Sequence, residues 1–95
     1  MNIEIEFAGF TTGYDFFQER RHSYTFSGNT LWELIENIIE GHGERIRESL
    51  VDKRTQALNP TIEIAINGKI VRDNLHHQII KEGDKVAFLK ILAGG

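Results

Sequence analysis

The chain has 95 residues, a net charge of −3, 40 % hydrophobic and 26 % charged residues, four histidines and no cysteine. This length fits a single domain, 1–95, whose small core buries roughly 60–65 % of the surface its unfolded chain exposes, and the missing cysteine excludes disulfides, thiolate metal centres and a cysteine nucleophile. The acidic balance argues against nucleic acid as a partner, and no apolar run approaches the roughly 20 residues of a membrane span, so the expectation is a cytoplasmic protein with no membrane partner.

The start, Asn2 to Gly9, sets Ile3, Ile5 and Phe7 against Glu4 and Glu6, and this period of two predicts a half-buried strand. It is also unlike any secretory leader. His22 to Gly28 repeats the pattern with Tyr24 and Phe26 on one face. The two segments are close in sequence and should pair as an antiparallel hairpin, joined by a long loop over 10–21 whose aromatics (Tyr14, Phe16, Phe17) fold onto the rim of the core or form a binding loop. Thr30 and Glu33 then make a capping box, in which hydroxyl and carboxylate satisfy each other's free backbone N–H. Leu31, Leu34, Ile35, Ile38 and Ile39 follow at i, i+3, i+4, i+7 and i+8, one buried helical stripe. Gly41 is the expected helix end. Trp32 lies off the stripe, as a flank contact or an exposed ring. Ile46, Leu50 and Val51 suggest a second short helix.

Val51 to Pro60 has little periodicity and reads as a loop. Ile62, Ile64 and Ile66 alternate in a third strand, and Asn67-Gly68 signals a type I′ hairpin turn into a short fourth strand, Lys69 to Val71. In the connection that follows, Leu75, Ile79 and Ile80 can plug the core. Gly83-Asp84 turns the chain into the last strand, Lys85 to Leu92. A four- or five-stranded mixed sheet with one main helix across a single face buries every periodic stripe. The terminal strands can pair in parallel at its centre. The fold class is therefore α+β, in the β-grasp arrangement.

Along the last strand Val86 and Phe88 point one way, under the helix. Ala87, Leu89 and Ile91 point the other way, onto a face no helix covers, where an apolar row is a contact surface or, for Ile91 and Leu92, the cover of a sheet edge. Ala93-Gly94-Gly95 loses the most backbone entropy if ordered and is expected to be a flexible arm. The last four residues extend roughly 13–14 Å, and a tail without Cβ atoms threads channels closed to other residues.

These segments together resemble the ubiquitin-like sulfur carriers, of the molybdopterin synthase small subunit and thiamine-biosynthesis carrier types. The resemblance covers nearly the whole chain. It rests on "IEIEFAG" as first strand, "TLWELIENI" as helix, "AINGKIV" as hairpin and, most specifically, "IKEGDKVAFLKILAGG" as the ending. Members often carry prolines before the glycines, where this chain has Lys90-Ile91-Leu92; its length is nearer the molybdopterin subunit. The resemblance implies that Gly95 bears a reactive α-carboxylate, adenylated and then converted to a thiocarboxylate for cofactor biosynthesis. It implies that Gly94 gives access, and that Ala87, Leu89, Ile91, Leu92 and Ala93 bind the partner. The implied partners are a ubiquitin-activating-type adenylating enzyme, which supplies ATP and Mg²⁺, and a molybdopterin synthase large subunit. The carrier itself binds no cofactor and is a protein cosubstrate rather than an independent enzyme. A free carboxylate is ionised at neutral pH, with a pKa near 3.5, and is a poor electrophile, which is why activation is needed.

Other constellations are weaker. His22, His42, His76 and His77 lack a carboxylate or cysteine pattern to complete a tetrahedral metal site, and the adjacent pair should point apart on an extended segment. Gly41 to Arg45 lacks the phosphate-loop lysine and reads as a helix break. The basic cluster Glu19 to His22 reads as a solvated turn. Three functions stay open: a sulfur carrier, a ubiquitin-like modifier joined through Gly95 to lysines, and a binding module whose glycines are incidental.

Overall fold

A computed structural model describes residues 1–9 and 21–91. Strand β1 spans Asn2–Ala8, β2 Arg21–Thr25, helix α1 Leu31–His42, α2 Glu44–Leu50, β3 Ile62–Ile66, β4 Lys69–Val71 and β5 Lys85–Lys90. The five strands form one sheet in the order β2-β1-β5-β3-β4. β1 and β5 run parallel, as the terminal strands were expected to, and the β1–β2, β3–β4 and β3–β5 pairs are antiparallel. The 10–20 part of the aromatic-rich connection, with Glu19 and Arg20 of the basic cluster, lies outside the described residues. Arg21 and His22 belong to β2 rather than to a turn, because Arg21 pairs with Glu6 in the ladder.

The core lies between the helices and one face of the sheet. All five stripe residues of α1 are buried, and they join Ile3, Ile5, Phe7, Phe26, Ile62, Ile64, Val86 and Phe88 in one cluster with Ile46, Leu50 and Ile80. Phe7 and Phe88 sit opposite each other on the central parallel pair, with ring centroids 5.2 Å apart and planes 24° from parallel. Among the described residues every buried side-chain nitrogen and oxygen has a hydrogen-bond partner, as close packing requires. No helix of the described residues is long and apolar enough to cross a membrane.

The capping box forms as the sequence predicts. The Glu33 backbone N–H donates to Thr30 Oγ1 at 3.2 Å, and the Thr30 N–H donates to Glu33 Oε1 at 3.1 Å. The start of α1 is also tied to the segment before β5. The Leu31 and Trp32 N–H groups donate to the carbonyls of Gln78 and Leu75, and that of Ile80 donates to Asn29 O. Asn67 and Gly68 both take positive φ, 50° and 86°, as the type I′ turn demands.

Four expectations are corrected. α1 continues through Gly41 to His42, and the break comes at Gly43, where φ is +89°. Gly41 leaves the helical hydrogen bonds intact, whereas the left-handed φ at Gly43 ends one helix and starts the next. Strand β2 stops at Thr25 rather than Gly28; Phe26 still donates its N–H to Met1 O at 2.9 Å, and its ring folds over Gly28, where a Cβ would sit 2.5 Å from it. Ile79 does not plug the core. It is 52 % exposed while its neighbour Ile80 is 2 % exposed, because an extended backbone sends consecutive side chains to opposite sides. His76 and His77 lie on a turn rather than an extended stretch, with the N–H groups of His77 and Gln78 both donating to Asn74 O.

Two outcomes follow from this packing. In denaturant unfolding, Ile80→Ala should cost about 2–5 kcal/mol, the usual toll of truncating a fully buried side chain, while Ile79→Ala should stay within about 0.5 kcal/mol of wild type. The hydrogen bond from Thr30, followed by those from the backbone of Asn29 and Thr30, holds the Glu33 carboxyl below its ordinary value of 4.5. A carboxyl with a lowered folded pKa stabilises above its unfolded value, and that contribution is lost as pH falls from 4.5 through the lower folded value. Thermal melts should therefore show the wild type losing ground to Glu33→Gln as pH falls through this window, the gap between them being largest above it.

Candidate functional site: the open face of β5 and the end of that strand

β5 occupies the middle of the sheet because its apolar run can be buried there, with ladder partners on both edges. Its period of two sorts the side chains cleanly. Val86 and Phe88 are fully buried beneath the helices, and Ala87 and Leu89 are half-buried on the other face. The register then assembles a surface the sequence could not. One row across the open face reads Arg21, Glu6, Ala87, Ala65, Ile70; the next reads Ala8, Leu89, Glu63. The apolar centre is thus Ala65, Ile70, Ala87 and Leu89. Ile70, 43 % exposed, was not singled out from the sequence, since only β3–β4 pairing sets it beside Ala65.

Charges bracket this centre in ion pairs. Glu6 Oε1 lies 3.8 Å from Arg21 Nε, and Glu63 Oε1 3.3 Å from an Arg72 guanidinium nitrogen. Both arginines are mostly solvated, so the pairs contribute little to stability but set the polar rim of the patch.

β5 ends at Lys90, two residues before the expected end at Leu92. Ile91 is 45 % exposed and has left the ladder, yet its N–H still donates to Thr61 O at 2.6 Å. Lys90 Nζ donates to Thr61 Oγ1 at 2.7 Å. Thr61 in turn donates its N–H and its hydroxyl to Asn59 Oδ1, at 2.9 and 2.8 Å. Of the expected site residues, Ala87 and Leu89 therefore share the open face and Ile91 stands at its edge, while Leu92, Ala93, Gly94 and Gly95 lie outside the described residues. Thr61 and Asn59 were missed because the stretch on either side of Pro60 has no periodicity to mark them.

A second feature sits away from β5. Trp32 packs against the core as a flank contact, and its ring lies 5.0 Å from that of His76. The pair borders an open groove of about 850 Å³ that reaches Leu58, Val71 and Arg72.

The split of β5 into two faces has a measurable consequence. Phe88→Ala should destabilise by about 3–5 kcal/mol in denaturant unfolding, whereas Ile91→Ser should change stability by less than about 0.5 kcal/mol.

The ThiS family model matches residues 14–95 of the chain. Among solved structures, the chain is similar to SAMP1 of Haloferax volcanii, with a TM-score of 0.73 at 18 % identity over 100 % of both chains. It is similar to a chain of the BexX/CysO complex of Amycolatopsis orientalis, with a TM-score of 0.68 at 23 % identity over 98 % of this chain and 99 % of that one. It is also similar to a chain of the complex of subunits 1 and 2 of the molybdopterin-converting factor of Helicobacter pylori, with a TM-score of 0.55 at 23 % identity over 100 % of both. No curated protein matches significantly by sequence. The structural similarities establish the ubiquitin-like β-grasp fold.

Proposed function

The match over residues 14–95 places this chain in the ThiS family, the ubiquitin-like sulfur carriers, and from that premise we propose that its chemistry resides in the α-carboxylate of Gly95. The observation that carries the reading is the continuity of the family match through β5 to Gly94 and Gly95, with β5 setting half-buried Ala87 and Leu89 on the sheet face opposite the helices just before them.

The carboxylate attacks the α-phosphorus of ATP on a partner adenylating enzyme. A mixed anhydride forms and pyrophosphate leaves. Hydrosulfide then adds to the activated carbonyl carbon, the C–O bond to AMP breaks, and a proton is released as the thiocarboxylate forms. If a persulfide is the donor, the product is an acyl disulfide, which a second thiol reduces to the same thiocarboxylate. The carrier supplies no acid, base or metal ligand; the partner holds Mg²⁺ and the charges that stabilise the transition state. What the carrier must supply is docking and reach. Ala87, Leu89 and Ile91, with Leu92 and Ala93 beyond them, are the docking surface. Gly94 and Gly95 are the part that enters the partner's channel.

We assign the sulfur to molybdopterin formation, with a synthase large subunit as acceptor, on the sequence ending and on the similarity to the molybdopterin-converting factor. Two of the similar chains were solved bound to a second protein, which supports a function exercised on partners. A second reading draws on the similarity to the small archaeal modifier protein SAMP1. In that reading the same adenylate is attacked by a lysine amine, giving an isopeptide.

Incubation with the adenylating enzyme, ATP, Mg²⁺ and a sulfur donor should raise the intact mass by the difference between one sulfur and one oxygen. Deleting Gly94 and Gly95 should abolish the gain while leaving the melting temperature unchanged, since neither residue has a side chain to bury. An unchanged mass for the full chain would refute the carrier reading. Isopeptide adducts on lysine, without thiocarboxylate, would favour the modifier.

A further inference from the structure

The end of β5 is gripped from both sides. On one side, Gly9 follows β1 and lies beside Lys90, as the register pairing Ala8 with Leu89 requires. Its φ is +82°, and a Cβ built on it would fall 2.7 Å from Lys90 O and 3.3 Å from Lys90 Cβ. The first distance is below any real Cβ contact, so Gly9 brings backbone directly against the last residue of the strand. On the other side stands Thr61. Its carbonyl accepts the Ile91 N–H at 2.6 Å, and its hydroxyl accepts from Lys90 Nζ at 2.7 Å. Thr61 is not free to move, because its N–H and hydroxyl both donate to Asn59 Oδ1. Asn59 is held in turn by donation of its own N–H to Leu50 O at 2.8 Å, and Leu50 is a fully buried core residue at the end of α2. The chain of contacts thus runs from the helical core to the residue where β5 ends.

We propose that Gly9 and Thr61 form a collar that fixes the root of the reactive terminus at Ile91, making them positioning residues for adenylation. This rests on the sulfur-carrier reading. With the root at Ile91, four residues separate it from the carboxyl group of Gly95, a reach of roughly 13–14 Å. If the Ile91–Thr61 bond opens, the root retreats along β5. Each residue released adds about 3.3 Å of slack, and the carboxylate samples a larger volume at lower local concentration. Of the docking surface, Ala87 and Leu89 are untouched by this, since alternation along β5 sets them on the sheet face opposite the Lys90 side chain, and only Ile91 shifts with the root. The collar therefore acts on the placement of the carboxylate once docked, which is a kcat effect, because misplacement of a reacting group by even 1 Å costs about 10²-fold in a demanding site.

The test uses the full-length chain as wild type, Thr61→Val, Thr61→Ser and Gly9→Ala, all at temperatures below their measured melting points. Two quantities are read: ATP–pyrophosphate exchange with the adenylating enzyme as a function of carrier concentration, and hydrogen exchange of the Ile91 amide by NMR. Thr61→Val and Gly9→Ala should lower kcat about five- to tenfold, the rate equivalent of one hydrogen bond, with KM for the carrier within about twofold of wild type on the same scale. Both should deprotect the Ile91 amide, and Thr61→Ser, which keeps the hydroxyl, should restore both readouts. The proposal is overturned if Ile91 stays protected in Thr61→Val and Gly9→Ala, if kcat is unchanged in both, or if Thr61→Ser is as impaired as Thr61→Val, which would make the role one of methyl packing. If the wild type itself supports no exchange, the carrier reading is what fails. Amide protection then decides alone whether Gly9 and Thr61 hold the end of β5.

Discussion

The parallel pairing of β1 with β5 is the constraint on which the rest of the molecule depends. It joins the two ends of the described chain at the centre of the sheet, and it is secured by the stacking of Phe7 on Phe88 beneath the helices. A parallel pair cannot be closed by a tight turn and needs a covering connection. Here α1 lies between the two strands in sequence and buries its whole apolar stripe in the core cluster that they share. Once β5 is fixed between β1 and β3, its alternate side chains have no freedom of assignment: Val86 and Phe88 go to the core, Ala87 and Leu89 to the open face.

The same constraint explains why the Ile91 side chain can be half exposed without loosening the fold. β5 is paired with β1 up to Leu89 and with β3 up to Lys90, and its last neighbours, Gly9 and Thr61, belong to the segments flanking the two adjacent strands. The side chains pass from buried to half exposed over three positions, from Phe88, which is fully buried, to Ile91, whose backbone is still tethered.

The start of α1 shows a related economy. Thr30 and Glu33 cap the helix locally, while Leu31, Trp32 and Asn29 exchange backbone hydrogen bonds with the 75–80 connection. The connection into β5 is thereby ordered by helix-end groups that would otherwise need water. Ile80 is driven into the core and Ile79 is left in solvent, and Trp32 is held against His76 beside the lateral groove.

Features governed by short-range periodicity and local capping could be read along the chain. The strand alternation in β1, β3 and β5, the five-residue stripe and capping box of α1, and the Asn67-Gly68 turn were all legible, because each depends on residues within one or two turns or a single hairpin. The family ending around Gly83-Asp84 and Gly94-Gly95 was legible as a resemblance for the same reason: it is contiguous. Tertiary structure decided what depends on neighbours distant in sequence. It placed Ile70 beside Ala65 and Ala87, chose Gly43 over Gly41 as the helix break, and sent Ile80 rather than Ile79 inward. It also brought Gly9 and Thr61, 52 positions apart by their numbering, to opposite sides of Lys90. No pattern along the chain marks such a pair, since register and close backbone approach are properties of the assembled sheet and come into being only when β1 and β3 have both paired with β5.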